Sequence, residues 1–106
     1  MPADEFDLLF ELGFAPNGRF ASLEALEPIL AAAALEFSIV VLFSGPAVSL
    51  LQGPESRRWR QLVDFDLAEL VVSEWLDDGP DQLRLRLINA SEAEQLRKNA
   101  RTILIL

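Results

Sequence analysis

The sequence alternates short apolar runs with amphipathic segments, and this alternation limits the possible folds more than any other feature. The runs at 37–43 and 69–75 contain Ile39-Val40-Val41 and Leu70-Val71-Val72, which are typical of strands covered on both faces. Further predicted strands lie at 6–12, 83–87 and 102–106, and apolar residues recur at helical spacing in the segments between them. The order β-α-β-α-β-β-α-β predicts an α/β domain with a mostly parallel five-stranded sheet and helices on both faces.

Two local patterns refine this prediction. Leu83 to Leu87 alternates leucine with arginine, which predicts an edge strand with one solvent-exposed face. The pattern does not determine whether this strand is parallel or antiparallel to its neighbour. Ser91-Glu92-Ala93-Glu94 has the spacing of a capping box, with Ser91 as N-cap and Glu94 as its partner, so it predicts a helix that ends near Asn99.

A length of 106 residues fits a single domain, 1–106. At this size folding buries only about two-thirds of the unfolded surface, so association with other subunits is a natural source of further stability.

The charge balance weighs against nucleic-acid binding. The chain has 17 acidic and 9 basic residues, a net charge of −8, so a phosphate backbone would be repelled over most of its surface. Arg57, Arg58 and Arg60 form the one dense basic cluster. A solvated helix face paired with Glu55 and Asp64 is the favoured interpretation, while contact with an acidic partner or RNA stays open.

The sequence has no cysteine and no histidine. It therefore has no disulfide, no thiolate nucleophile, and neither the commonest metal ligand nor the commonest general base. Asp77, Asp78 and Asp81 match no calcium-loop spacing and are interpreted as a polar turn. We expect no metal, no cofactor and no enzymatic activity.

The segment Ile29–Leu51 is long enough to cross a bilayer, with Glu36 as its one charge. Glu36 would lie in the hydrocarbon, and Gly45-Pro46 would interrupt a helix. The segment is therefore interpreted as a buried helix followed by a buried strand. Since the N-terminus is acidic where an export signal would be basic, we expect a soluble, cytoplasmic protein without membrane contact.

Ser44-Gly45-Pro46 follows the second strand, where α/β sheets bind ligands. A plain strand-to-helix turn with Pro46 in the first helical position is the favoured alternative.

Four strings of residues, taken with the order of elements, resemble the DsrE/DsrF-like sulfur-relay family, and within it the DsrF/TusC type of subunit. The strings are Ala15-Pro16-Asn17-Gly18, Leu23-Glu24-Ala25-Leu26 with Ala31 to Leu35 and the run 39–43, Gly45 to Leu51, and Glu92 to Leu96 followed by Thr102-Ile103-Leu104. The resemblance covers nearly the whole chain. The chain departs from the family pattern at Pro46-Ala47, where these subunits usually have Asp-Gly.

The resemblance implies a three-layer, flavodoxin-like (DsrEFH-like) fold and a role in passing persulfide sulfur within homo- or hetero-oligomers. In the DsrE/TusD type of subunit, a cysteine at the end of the third strand carries the sulfur. Ser73 lies at about that position, and a hydroxyl cannot form a persulfide. The chain is accordingly interpreted as a non-catalytic subunit of a TusBCD/DsrEFH-type complex, supporting tRNA 2-thiouridine synthesis or sulfur oxidation beside cysteine-bearing partners.

Two alternatives remain. One is a solitary homo-oligomer that binds a small ligand around Ser44, Gly45 and Ser73. The other, a hydrolase using Ser73, is the weakest because no evident base would activate the hydroxyl. The residues expected to include subunit-interface anchors are Phe43, Val48, Leu50, Leu51, Trp59 and Trp75.

Overall fold

Five strands form one sheet in the computed structural model, which describes residues 5–13, 18–51, 56–73 and 86–106. The strands are β1 (Phe6–Leu12), β2 (Ile39–Phe43), β3 (Glu69–Val72), β4 (Arg86–Leu87) and β5 (Ala100–Ile105). The helices are α1 (Gly18–Ala34), α2 (Ser56–Asp64) and α3 (Ala90–Asn99), and a 3₁₀ helix spans Gly45–Leu51.

The sheet order is β4-β3-β2-β1-β5, and every strand pair is parallel. The predicted five-stranded α/β fold is confirmed. The direction of β4, which the sequence left open, is parallel over its two described residues, and β4 lies at an edge as predicted. All five residues of β2 are buried, as expected for an apolar strand in the middle of a covered sheet.

Alternate residues of the strands face two separate apolar layers. Ile39, Val41 and Phe43 point to the side covered by α1, the 3₁₀ helix and α2. There Trp59 of α2 packs edge-to-face on Phe43, with ring centroids 5.2 Å apart and an interplanar angle of 82°. An aromatic pair in this geometry contributes roughly 0.5–1.5 kcal/mol beyond its buried area.

The opposite side of the sheet packs on α3. Leu9, Val40, Leu42 and Val71 form this second layer together with Ala93 of α3. The same face of β1 holds Glu11, whose carboxylate accepts two hydrogen bonds from Arg97 of α3, from Nε at 3.0 Å and from Nη2 at 3.1 Å. The fold therefore has three layers, with this paired charge beside the second apolar layer.

The start of α3 differs from the prediction. Asn89, not Ser91, is the N-cap: its side chain accepts from the Glu92 amide at 2.8 Å, and the Glu92 carboxylate accepts from the Asn89 amide at 3.1 Å. The predicted box of Ser91 and Glu94 is wrong because the helix begins earlier, which places Ser91 inside its first turn. Glu94 instead accepts a hydrogen bond from Arg97 at 2.8 Å.

Helices α1 and α2 end in the same way, with an acidic residue in the left-handed conformation where glycine is usual. Glu36 has φ 65° and Asp66 has φ 55°. After α1, the amides of Glu36 and Phe37 donate to the carbonyls of Ala33 and Ala32, the pattern of a Schellman motif. These ends turn the chain from each helix into the strand that follows it.

The segment 29–51 contains the end of α1 and the buried strand β2, as predicted, followed by the 3₁₀ helix. The helical part is amphipathic rather than buried, since Ile29 and Ala32 are buried but Ala31 and Ala34 are exposed. Helix α1 runs through Pro28 without ending there. Across the parts of the chain that the structure describes, no helix has the length and apolar character needed to span a membrane.

Candidate functional site at the carboxyl edge of the sheet

Gly13, Ser44 and Ser73 directly follow β1, β2 and β3, and the parallel register brings them to one edge of the sheet. The Ser44 amide donates to the Leu12 carbonyl at 3.0 Å, and the Ser73 amide donates to the Phe43 carbonyl at 3.0 Å. Each of these two serines thus extends the ladder by one step beyond its strand. Since neighbouring strands lie about 4.8 Å apart, the predicted site residues Ser44 and Ser73 lie side by side at this edge.

Gly45 makes the turn from β2 into the 3₁₀ helix. Its φ is +55°, and a Cβ built there would lie 3.7 Å from the Gly13 carbonyl oxygen, an ordinary contact. The constraint on this position is therefore conformational rather than one of space, since side chains other than glycine rarely adopt this φ. The Ser44 hydroxyl points back toward β1 and donates to the Leu12 carbonyl at 3.4 Å, a long and weak bond.

The chemistry available at this edge is that of hydroxyls and backbone groups. The described residues that directly follow the first three strands are Gly13, Ser44–Leu51 and Ser73, and none of these carries a charged side chain. This arrangement can donate and accept hydrogen bonds. It supplies no group to take the proton of a serine nucleophile.

The predicted interface residues lie inside the chain. Phe43, Val48, Leu50, Leu51 and Trp59 are each 7% exposed or less and belong to the layer beneath α1 and α2. These five side chains therefore stabilise the domain itself. Sequence alone could not separate the two roles, since core and interface anchors are both large and apolar. Trp75 lies outside the described residues.

The basic cluster lies on α2, whose Trp59 is buried while Arg57 is exposed. Arg58 and Arg60 are half-buried. The Nε atom of Arg60 is buried and has no hydrogen-bond partner among the described residues. The arginines of α2 therefore do not form a uniformly solvent-exposed face. Glu55, one of their predicted partners, lies outside the described residues.

A groove of about 420 Å³ lies at the opposite, amino edge of the sheet, between the starts of β2 and β3. Phe37, Val63, Leu67 and Asp66 are among its lining residues. Sequence analysis missed this groove, and it does not include the predicted ligand residues. The available signal was Phe37, an aromatic residue placed where α1 returns to the sheet; it is 42% exposed.

Asp7 and Ser38 join β1 to the segment before β2 at this amino edge. The Asp7 carboxylate accepts from the Ser38 amide at 2.8 Å and from its hydroxyl at 3.1 Å. These bonds, the amide bond foremost, lower the pKa of Asp7 below its ordinary value of 3.8. On the α3 face, hydrogen bonding to Glu11 raises the pKa of Arg97.

Within the described ranges, no group of three or more acidic side chains is placed to hold a metal ion. Asp77, Asp78 and Asp81 lie outside those ranges.

Comparison with known proteins gives a match in structure. The fold is similar to that in the crystal structure of the YchN protein from E. coli, with a TM-score of 0.69 over 95% of this chain and 99% of that chain, at 13% sequence identity. At that identity the match shows a shared fold. No protein-family profile matches the sequence, and no curated protein matches it.

Proposed function

We propose that this chain is a non-catalytic subunit of a cytoplasmic sulfur-relay complex of the TusBCD/DsrEFH type, associated with related cysteine-bearing subunits. Three lines support the proposal: the resemblance of the sequence, the shared fold with YchN, which is DsrE-like, and the position of Ser73. The observation that carries it is Ser73 at the carboxyl end of β3, which by the resemblance is about the position of the carrier subunit's cysteine.

Persulfide transfer requires a thiolate to attack the outer sulfur of a donor persulfide. A new S–S bond forms, the donor S–S bond breaks, and the donor cysteine leaves as a thiolate. The Ser73 hydroxyl has no sulfur with which to form that bond, and the chain has no cysteine elsewhere. In such a complex its contribution is structural: it completes the assembly that holds the carrier cysteine, for tRNA 2-thiouridine synthesis or for sulfur oxidation.

The first experiment measures native mass by light scattering, for the chain alone and mixed with candidate cysteine-bearing relay subunits. We expect one defined larger complex after mixing. Failure to form a complex with any carrier subunit contradicts the proposal.

A second experiment measures persulfide transfer by the reconstituted complex with Ser73→Ala and with Ser44→Ala as the matched control. Because neither hydroxyl takes part in the chemistry, both variants should transfer sulfur at the wild-type rate. Loss of transfer with Ser73→Ala alone would assign chemistry to this hydroxyl and contradict a purely structural role.

A small-anion site is the second candidate function, favoured by the convergence of Ser44, Gly45 and Ser73 at one edge of the sheet. Binding there should raise the melting temperature in the presence of inorganic phosphate. Ser44→Ala should remove that increase, whereas Ser49→Ala should keep it, since the Ser49 hydroxyl is already bonded to the Pro46 carbonyl at 2.8 Å. A melting temperature insensitive to phosphate contradicts this candidate.

A further inference from the structure

Strand β5 is an open edge of the sheet with an unusually apolar surface. It lies at the end of the strand order and pairs only with β1 among the described strands. Ile103 and Leu104 are each 39% exposed, and Ile105 is 79% exposed. Natural edge strands usually carry prolines, bulges or several charges that prevent pairing with another chain. Residues 100–105 contain no proline and a single charge, Arg101.

The hydrogen-bonding direction of each β5 residue follows from the register with β1. The Leu106 amide donates to the Glu11 carbonyl at 3.0 Å, and Ile105 is the register partner of Glu11. In a parallel ladder, the N–H and C=O of one residue point to the same side and those of the next residue point to the other. Thr102, Leu104 and Leu106 therefore face β1, while Arg101, Ile103 and Ile105 direct their backbone groups to the open edge.

We propose that this edge pairs antiparallel with β5 of a second copy of the chain, about a two-fold axis at Ile103. Such an axis places Ile103 opposite Ile103 of the second copy, and Arg101 opposite Ile105. Every outward-facing residue then meets an outward-facing residue, which gives three hydrogen-bonded pairs. The register also joins Ile103 and Ile105 of both copies into one apolar cluster on the α3 side of a continuous sheet.

Charge permits two copies to meet at this edge. Each chain has a net charge of −8, so most of its surface repels a second copy. Residues 95–106 contain no acidic residue, and their basic residues are Arg97, Lys98 and Arg101. In the proposed register the two Arg101 side chains are four residues apart along the strands, about 13 Å, which exceeds the Debye length of about 8 Å at physiological salt.

The decisive test places opposite charges at one position. Ile105→Glu and Ile105→Lys lose the same apolar group, but the introduced carboxylate would lie directly opposite Arg101 of the second copy and attract it, whereas the introduced ammonium group would repel it. We expect the dimer dissociation constant of the lysine variant to exceed that of the glutamate variant by roughly 10- to 30-fold, from two such pairs per dimer. Net charge alone predicts the reverse order, because lysine lowers the repulsion between acidic chains.

Sedimentation equilibrium over a range of concentrations measures these constants for the isolated chain. Leu87→Lys is the matched control, since Leu87 is 48% exposed on the opposite edge strand, β4. It should not raise the dissociation constant, since its added positive charge can only reduce the repulsion between the two acidic chains. Hydrogen exchange provides a direct second measurement: the amides of Ile103 and Ile105 should become protected as protein concentration rises.

Three results would overturn the proposal. They are a chain that stays monomeric at all concentrations, equal dissociation constants for the two Ile105 variants, and a dimer abolished by Leu87→Lys. If the β5 edge instead pairs with a strand of a different protein, the isolated chain would stay monomeric at all concentrations. The test uses the chain by itself, so its outcome does not depend on whether a sulfur-relay complex forms.

Discussion

The pair formed by Glu11 and Arg97 permits a quantitative test of how the α3 face is stabilised. The Glu11 side chain is 18% exposed and that of Arg97 is 37% exposed, and two hydrogen bonds at 3.0 and 3.1 Å join them in a bidentate geometry. Replacing Arg97 by methionine keeps most of the apolar stem but leaves the Glu11 carboxylate largely buried without its partner.

Removing one member of a fully buried ion pair costs about 3–5 kcal/mol. Because both side chains keep some contact with water, we reduce this range by about half and expect Arg97→Met to lower the free energy of unfolding by about 2 kcal/mol. For a domain of this size that corresponds to a loss of roughly 9 °C in melting temperature. The double variant Glu11→Leu/Arg97→Met should recover at least about 1 kcal/mol of the summed single effects, since no unpaired charge remains.

Urea unfolding of the wild type, the two single variants and the double variant measures these energies. Glu94→Gln is the control: Glu94 also bonds Arg97 but is 64% exposed, so its loss should cost at most about 0.5 kcal/mol. Single effects that add within about 0.3 kcal/mol in the double variant would refute the argument, because they would show no coupling between the two groups.

Three further predictions concern local structure. Asn89→Ala should cost about 1 kcal/mol in unfolding free energy by urea titration, whereas Ser91→Ala should cost almost nothing; equal costs would contradict the observed cap. Glu36→Gly should stabilise the chain by about 0.5–1 kcal/mol in the same titration, because glycine adopts the left-handed φ without strain, and a loss of stability would contradict this. The lowered pKa of Asp7 stabilises the fold above pH 3.8, and that contribution is lost as the pH falls through the folded-state value. Asp7→Asn should therefore flatten the dependence of urea midpoints on pH in this acidic range, whereas Ser38→Ala, which removes the hydroxyl but keeps the amide donor, should flatten it only in part. An unchanged slope for Asp7→Asn would contradict the assignment.

The fold was predictable because its strong signals are local. An uncharged run such as 39–43 is stable only when both of its faces are covered, and alternation with helices then requires parallel strands. The bounds of β1, Phe6–Leu12, also agree with the sequence prediction, although Asp7 and Glu11 interrupt its apolar residues. The start of α3 was not predicted correctly because asparagine and serine compete for the same cap, and only the path of the chain leaving β4 decides between Asn89 and Ser91.

For the candidate site as well, some features follow from the sequence and others depend on the fold. The absence of a thiol and an imidazole follows from the sequence alone, as does the placement of small polar residues such as Ser44 and Ser73 after apolar strands. Their meeting at one edge comes from the parallel register, which joins residues far apart in the sequence. The burial of Trp59 and Phe43 in the core, and the exposure of Ile103 and other residues of β5, depend on how the folded chain packs. Hydrophobicity measures the tendency of a side chain to leave water, but the order of strands determines which apolar residues have neighbours to bury them.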